Sequence, residues 1–212
     1  MERRTLASPL SVQFRNEGEK QKIFGYGSVY YDGTPETEYR IWDNYVERIM
    51  PGMFDRAIRE QHDVRGLFNH DSNIILGRST SGTMLLALDS KGLRYEIDYD
   101  PNDPDHVRVK AKMDRKDVTG SSFSFDPMEW TIREEGDLTV VEMRDCVLYD
   151  VGPVTYPAYE GANSGMRALK RSDAEAYRDE LQRMKANPTE VDRFLQERRR
   201  ELLKRMDALA KI

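Results

Sequence analysis

The chain has 212 residues, a net charge of −5, 38% hydrophobic residues and one cysteine. Its mean hydropathy is −0.76, and no apolar run approaches the roughly 20 residues of a membrane-spanning helix. We therefore expect no membrane segment and, because residues 1–10 lack an apolar core, no secretory signal. The lone Cys146 excludes an internal disulfide and a cysteine-rich zinc site, which favours a reducing compartment.

Charge is distributed unevenly along the chain. Residues 170–212 carry 12 basic and 9 acidic side chains, whereas residues 1–169 carry 21 and 29. This contrast predicts an N-terminal arm at 1–21, a folded domain at 22–168 and a charged helical tail at 169–212. The net acidic charge of the folded part argues against nucleic-acid binding. The basic run in the tail does not change this, because Glu197 and Glu201 flank it and balance its charge.

Short alternating segments predict that the folded domain consists mostly of strands. These segments are residues 23–31, 64–69, 83–88, 93–99, 121–125, 129–133 and 138–147. Turn residues at 89–92 and 134–137 join neighbouring segments into antiparallel hairpins. Two helices are expected between the strands, one at 53–61 and one that begins at Asp103 and Pro104 and runs to about residue 116.

The predicted elements do not follow the strand–helix–strand alternation that is typical of a parallel α/β sheet. The predicted fold is therefore mostly β (α+β), a closed antiparallel β-barrel with surrounding helices, followed by the helical tail. In the tail, Ser172 and Glu175 resemble a capping box, and Asn187 with Pro188 begins a second helix. Apolar residues form one stripe on each helix, which would pack on the chain's own body, on a second copy or on a partner helix.

Three histidines, His62, His70 and His106, are the only residues with an ordinary pKa near neutrality. His62 and His106 fall at the ends of predicted helices, where a surface position explains them. His70 follows an apolar strand, at a point where a rigid sheet could hold a proton-transfer group at a cleft. A histidine that only hydrogen-bonds Asn69 or Asp71 within a turn is the alternative.

Hydroxyl groups and acids that could complete a histidine site lie further along the chain. Strand alternation places Ser122 and Ser124 on one face of the segment that holds Phe123 and Phe125 on the other, and spacing does not choose between the two serines. Asp150 ends a strand and could orient an imidazole. The competing acids are Asp71, Asp126, Glu142 and Asp145.

Several blocks in this order resemble the prohead maturation serine proteases of tailed phages. They are Glu47-Arg48-Ile49-Met50-Pro51-Gly52-Met53-Phe54, Phe68-Asn69-His70-Asp71, Leu76-Gly77-Arg78, Val118-Thr119-Gly120-Ser121-Ser122-Phe123-Ser124-Phe125 and the segment from Asp150 to Tyr159. The resemblance implies an assemblin-like barrel related to the herpesvirus proteases. It also implies that His70, Ser122 and Asp150 are catalytic. Two positions depart from the family pattern: Ser124 replaces its usual glycine, and Asp150 its usual glutamate.

The resemblance further implies a serine endopeptidase without cofactor or metal. Its substrates would be scaffold protein or the scaffolding arm of the major capsid protein, and the protease itself, with the tail removed by self-cleavage. It would act inside the assembling prohead in the host cytoplasm, and the herpesvirus relatives make a homodimer an expectation. Arg78 and Arg144 are the candidate oxyanion donors besides backbone amides.

Two other functions are weighed against this one. A non-catalytic capsid-assembly module could keep the barrel and use its tail to bind scaffold, since a fold does not guarantee a function. Such a module has no reason to retain a histidine, a serine and an acid together. A metal-dependent hydrolase using His62 and His70 is disfavoured, because their spacing matches no common ligand motif.

Overall fold

A computed structural model describes residues 2–4, 12–17, 20–42, 44–156 and 188–209. The strands in these residues are β1 Glu2–Arg4, β2 Gln13–Glu17, β3 Lys20–Val29, β4 Glu38–Trp42, β5 Tyr45–Ile49, β6 Arg65–Leu67, β7 Ile75–Arg78, β8 Met84–Leu88, β9 Gly92–Asp98, β10 Gly120–Glu135 and β11 Leu138–Val154. The helices are α1 Asp55–Arg59, α2 Pro104–Asp114 and α3 Pro188–Leu209, with a 3₁₀ turn at Pro35–Thr37. The predicted helix start at Ser172 lies outside the described residues.

The strands form two sheets. The larger has the order β1-β10-β11-β5-β4, with β6 paired to β11 and β7 paired to β6, and the smaller has the order β2-β3-β9-β8. The predicted closed antiparallel barrel is therefore wrong, although the mostly β composition is confirmed. The long strand β11 explains the difference, because it pairs in parallel with β5 over its first part and with β6 near its end. The larger sheet branches at β11 instead of closing.

Both predicted hairpins are present, and the second has longer strands than the sequence indicated. β8 and β9 are joined at a turn where Asp89 Oδ1 accepts the backbone N–H groups of Lys91 and Gly92. β10 and β11 form one continuous hairpin that replaces the three shorter segments predicted there. Alternation within each strand explains why these hairpins could be recognised from sequence.

The strands β4 and β5 are absent from the sequence prediction. All five residues of β5 are buried, including Glu47 and Arg48, so the strand has no alternation of apolar and polar side chains. The Arg48 guanidinium lies 2.6 Å from a Glu38 carboxylate oxygen and also pairs with Glu135, which compensates the burial of these charges. A strand buried on both faces is difficult to recognise by its period.

The core lies where the two sheets and α1 meet. Phe123 and Phe125 of β10 stack against each other, and Phe54 and Tyr39 contact Phe123 edge to face. Helix α2 begins as predicted, with the Asp103 carboxylate accepting the N–H groups of Asp105 and His106. Helix α1 is shorter than predicted.

The tail helix α3 packs on β10. The buried side chains of this helix are Val191, Leu195 and Leu202. Trp130 Nε1 donates a hydrogen bond to Asp192 at 3.0 Å, and Arg198 pairs with Asp126 at 3.1 Å. Of the arrangements considered for the apolar stripe, this structure shows packing on the chain's own body. No helix in the described ranges is long and apolar enough to cross a membrane.

Candidate active site

His70 lies in a tight turn that follows β6. Asn69 and His70 both adopt left-handed backbone conformations, with φ of 56° and 57°. The turn is closed by hydrogen bonds from the Asp71 N–H to the Phe68 carbonyl and from the Ile74 N–H to the Asp71 carbonyl. Two successive residues at positive φ also occur in ordinary type I′ hairpin turns, and Asn and His tolerate this region better than most residues. The turn directs the His70 ring back across β11.

Asn69 fastens this turn to the end of β11. Its Nδ2 donates to Thr155 Oγ1 at 3.0 Å, while its Oδ1 accepts the Thr155 N–H at 2.7 Å. The Asn69 N–H also donates to the Pro153 carbonyl at 3.0 Å. The sequence suggested Asn69 only as a hydrogen-bond partner of His70 within the turn, and it suggested no role for Thr155. Their one signal was a position within the blocks that contain His70 and Asp150.

Two serines of β10 lie on the sheet face opposite the Phe123 and Phe125 rings. Both are buried, Ser122 being 1% exposed and Ser124 0%. In the antiparallel ladder Ser122 is paired with Gly152, and Ser124 with Asp150. The register then shifts, so that β11 has one extra residue at Tyr149. This β-bulge lies beside the site, where such irregularities commonly redirect a side chain.

The His70 ring joins Ser122 to Asp150. Ser122 Oγ lies 2.8 Å from Nε2, and Asp150 Oδ1 lies 2.5 Å from Nδ1. The other carboxylate oxygen, Oδ2, accepts a hydrogen bond from the hydroxyl of Ser124. The His70 and Asp150 side chains are 9% and 3% exposed. With the proton on Nδ1, the lone pair of Nε2 faces the Ser122 hydroxyl, which is the arrangement needed for general-base catalysis.

The competing acids bind other partners. Asp71 accepts the backbone N–H of Asn73, and Asp145 pairs with Arg56 at 2.8 Å. Asp126 accepts the Tyr149 hydroxyl and pairs with Arg198, and Glu142 pairs with Arg133 and Arg144. Each of these carboxylates has a structural contact elsewhere, whereas Asp150 contacts the imidazole.

The other histidines accept backbone hydrogen bonds at Nδ1. The Leu148 N–H donates to His62, and the Asp100 N–H donates to His106. Burial lowers the pKa of His62 from its ordinary value, and the nearby charge of Arg56 lowers it further. His62 is therefore stabilised in its neutral form.

The two arginines considered as oxyanion donors form ion pairs. Arg78 lies 2.6 Å from an oxygen of Asp63, and Arg144 lies 2.6 Å from an oxygen of Glu142. Residues 2–4, 12–17, 20–42, 44–156 and 188–209 contain no group of three or more His, Cys, Asp or Glu side chains arranged to hold a metal ion. Burial raises the pKa of the Cys146 thiol, which lies in the core.

Comparison with known proteins gives one match. A family model described as caudovirus prohead serine protease matches residues 9–178, which is most of the chain. That range contains His70, Ser122 and Asp150. Neither the comparison with curated proteins nor the comparison with solved structures found a significant match.

Proposed function

Because the chain belongs to the caudovirus prohead serine protease family, we propose that it is an endopeptidase with Ser122 as its nucleophile. His70 is the general base, and Asp150 orients the imidazole. The continuous hydrogen-bonded series from Ser122 Oγ through the His70 ring to Asp150 supports these roles most directly. A non-catalytic assembly module would need neither this series nor its burial.

The first half of the reaction forms an acyl-enzyme. Nε2 of His70 accepts the Ser122 proton as Oγ attacks the scissile carbonyl carbon, and the imidazolium that results is stabilised by the Asp150 carboxylate. The tetrahedral intermediate then collapses. Its carbon–nitrogen bond breaks, and the proton on Nε2 passes to the leaving amine.

The second half releases the other product. A water molecule gives one proton to Nε2 and attacks the acyl carbon, and the bond to Ser122 Oγ breaks as the proton returns to that oxygen. The Nδ1–H donates to Asp150 throughout, which keeps the lone pair of Nε2 directed at the serine.

The prohead named in the family description supports a proposal for the substrates. They are scaffold protein, or the scaffolding arm of the major capsid protein, and the protease itself, whose residues 169–212 form a removable tail. The enzyme acts inside the assembling prohead in the host cytoplasm. Enclosure in a shell raises the effective concentration of substrate, so a weakly binding protease can still process many copies.

The test is co-expression with capsid and scaffold proteins from the same phage, analysed by intact-mass spectrometry. Ser122→Ala should abolish processing of capsid, scaffold and tail, because removal of a nucleophile lowers the rate by roughly 10³-fold or more. Ser121→Ala is the matched control, since Ser121 is also buried but bonds the Tyr95 hydroxyl on the opposite face of β10.

The outcomes separate the two functions considered. Processing by wild type and Ser121→Ala, but not by Ser122→Ala, supports the protease. Processing that persists in Ser122→Ala overturns the assignment of the nucleophile. Proheads that assemble with uncut wild-type protein support the assembly module instead.

A further inference from the structure

Asp150 has a second hydrogen-bond donor besides His70. Its Oδ1 faces His70 Nδ1, and its Oδ2 accepts the hydroxyl of Ser124. Ser124 is 0% exposed and Asp150 is 2% exposed, so water has little access to this carboxylate. A buried carboxylate with an unpaired oxygen is costly, and the Ser124 hydroxyl removes that cost for Oδ2.

Strand register brings the two side chains together. Ser124 and Asp150 are directly paired in the β10–β11 ladder, which places their side chains on the same face of the sheet. The bulge at Tyr149 comes directly after this pair, and the next pair in the ladder is Phe125 with Leu148. On that side, regular strand pairing therefore does not hold the Asp150 side chain in place. The hydrogen bond to Ser124 fixes the rotation of the carboxylate at this irregular point.

We propose that Ser124 is a positioning residue that holds the Asp150 carboxylate in the orientation in which Oδ1 faces His70 Nδ1. The inference rests on the proposed function of Ser122 and His70. It also assigns the two serines of β10 different tasks: Ser122 contacts Nε2 and performs the attack, while Ser124 acts only through Asp150.

Without this donor the carboxylate can rotate or draw in water, and the imidazole loses its fixed orientation. We expect Ser124→Ala to react about tenfold more slowly than wild type, a part of the 10²–10⁴-fold that a well-placed general base contributes. The Ser124→Thr and Ser124→Val variants form an isosteric pair that differs in the hydroxyl. Thr should retain the wild-type rate, whereas Val should show the loss.

Two measurements on the full chain test the proposal. The first is the rate at which a small fluorophosphonate labels Ser122, where the Oγ–phosphorus bond forms, fluoride leaves and the proton passes to His70. The second is the low-field proton NMR signal of His70 Nδ1–H, which requires no activity. His62 and His106 accept hydrogen bonds at Nδ1, so they do not contribute this kind of signal.

The proposal predicts that wild type and Ser124→Thr share the low-field signal and the labelling rate. Ser124→Ala and Ser124→Val should lose the signal and be labelled about tenfold more slowly. A signal and rate unchanged in Ser124→Ala would overturn it, as would identical behaviour of the Thr and Val variants. Ser121→Ala controls for the general loss of a buried hydroxyl. If wild type is not labelled at Ser122, the proposed function fails, while the NMR comparison still decides the role of Ser124.

Discussion

Gly152 and Leu67 approach each other so closely that no side chain fits at position 152. A Cβ atom on Gly152 would lie 2.0 Å from the Leu67 carbonyl oxygen and 2.9 Å from its carbonyl carbon. Gly152 is paired with Ser122, and Leu67 is the last residue of β6, three positions before His70. The absence of a side chain therefore lets the strand that leads to His70 pass close to the serine.

Gly152→Ala should accordingly damage both the site and the fold. The clash involves backbone atoms that cannot rotate away, so β6 must shift, at a cost of about 1–3 kcal/mol in unfolding free energy. Fluorophosphonate labelling of Ser122 should fall by up to about 10²-fold, since a misplacement of about 1 Å can lower a rate by that factor.

The graded control for this substitution is Gly77→Ala on the neighbouring strand β7. A Cβ there would lie 3.0 Å from Ile97 Cγ2 and 3.1 Å from the Thr83 carbonyl oxygen, so its nearest contact is 1.0 Å longer than the 2.0 Å contact at Gly152. Chemical denaturation and labelling should show a smaller effect in Gly77→Ala. Equal effects in both variants would contradict the proposed path of β6 past Gly152.

Asn69 should influence activity through the His70 turn. Asn69→Ala removes both side-chain hydrogen bonds to Thr155 and places alanine at a φ of 56°. We expect a loss of about 1–2 kcal/mol in stability and at least a tenfold slower labelling of Ser122.

Two further variants separate the contributions to this turn. Asn69→Gly keeps the left-handed backbone and removes the hydrogen bonds, while Thr155→Val removes only the Oγ1 acceptor. Labelling should decrease in the order wild type, Thr155→Val, Asn69→Gly. A wild-type rate in Asn69→Gly would show that the backbone conformation alone positions His70.

The packing of the tail helix can be tested with two leucines of α3. Leu195 is 3% exposed and belongs to the core cluster, whereas Leu203 is 41% exposed. Leu195→Ala should destabilise the docked helix by about 2 kcal/mol and shift Trp130 fluorescence to longer wavelength, while Leu203→Ala should stay within about 0.5 kcal/mol of wild type. If the two variants behave alike in denaturation and fluorescence, α3 does not dock through this face.

His62 predicts an acid-sensitive contribution to stability. Its folded pKa is lowered below the ordinary 6.5 by burial and by Arg56, so folding favours the neutral ring. The associated stability is present above about pH 6.5 and is lost as the pH falls through the lowered folded pKa. His62→Gln should flatten this decline.

Denaturation at several pH values checks the role of His62. The difference between wild type and His62→Gln at pH 8 measures the packing cost of the substitution, because the histidine is neutral in both states there. The difference should shrink on acidification from pH 7 to 5. Parallel curves for the two proteins would show that His62 does not contribute to the decline.

Local patterns in the sequence identified elements of the fold but not their partners. The hairpins β8–β9 and β10–β11 could be predicted because their turns and alternation are local. The parallel pairing of β11 with β5 and β6 joins segments far apart in the chain, and no local signal specifies it. The expectation of a closed barrel failed because it assumed that short turns determine all neighbours.

The candidate site shows a similar division. Alternation correctly placed Ser122 and Ser124 on one face, but it could not tell which would meet His70, since that depends on the path of β6 across β11. The choice of Ser122 came from family resemblance, and its catalytic role remains a prediction. The two hydrogen bonds between the Asn69 side chain and Thr155 depend on a geometry that is present only in the folded chain.

The order of the site residues along the chain has a consequence for synthesis. His70, Ser122 and Asp150 become neighbours only after β11 has paired with both β10 and β6. A nascent chain in which β11 has not yet left the ribosome therefore cannot assemble the hydrogen-bonded series from Ser122 through His70 to Asp150.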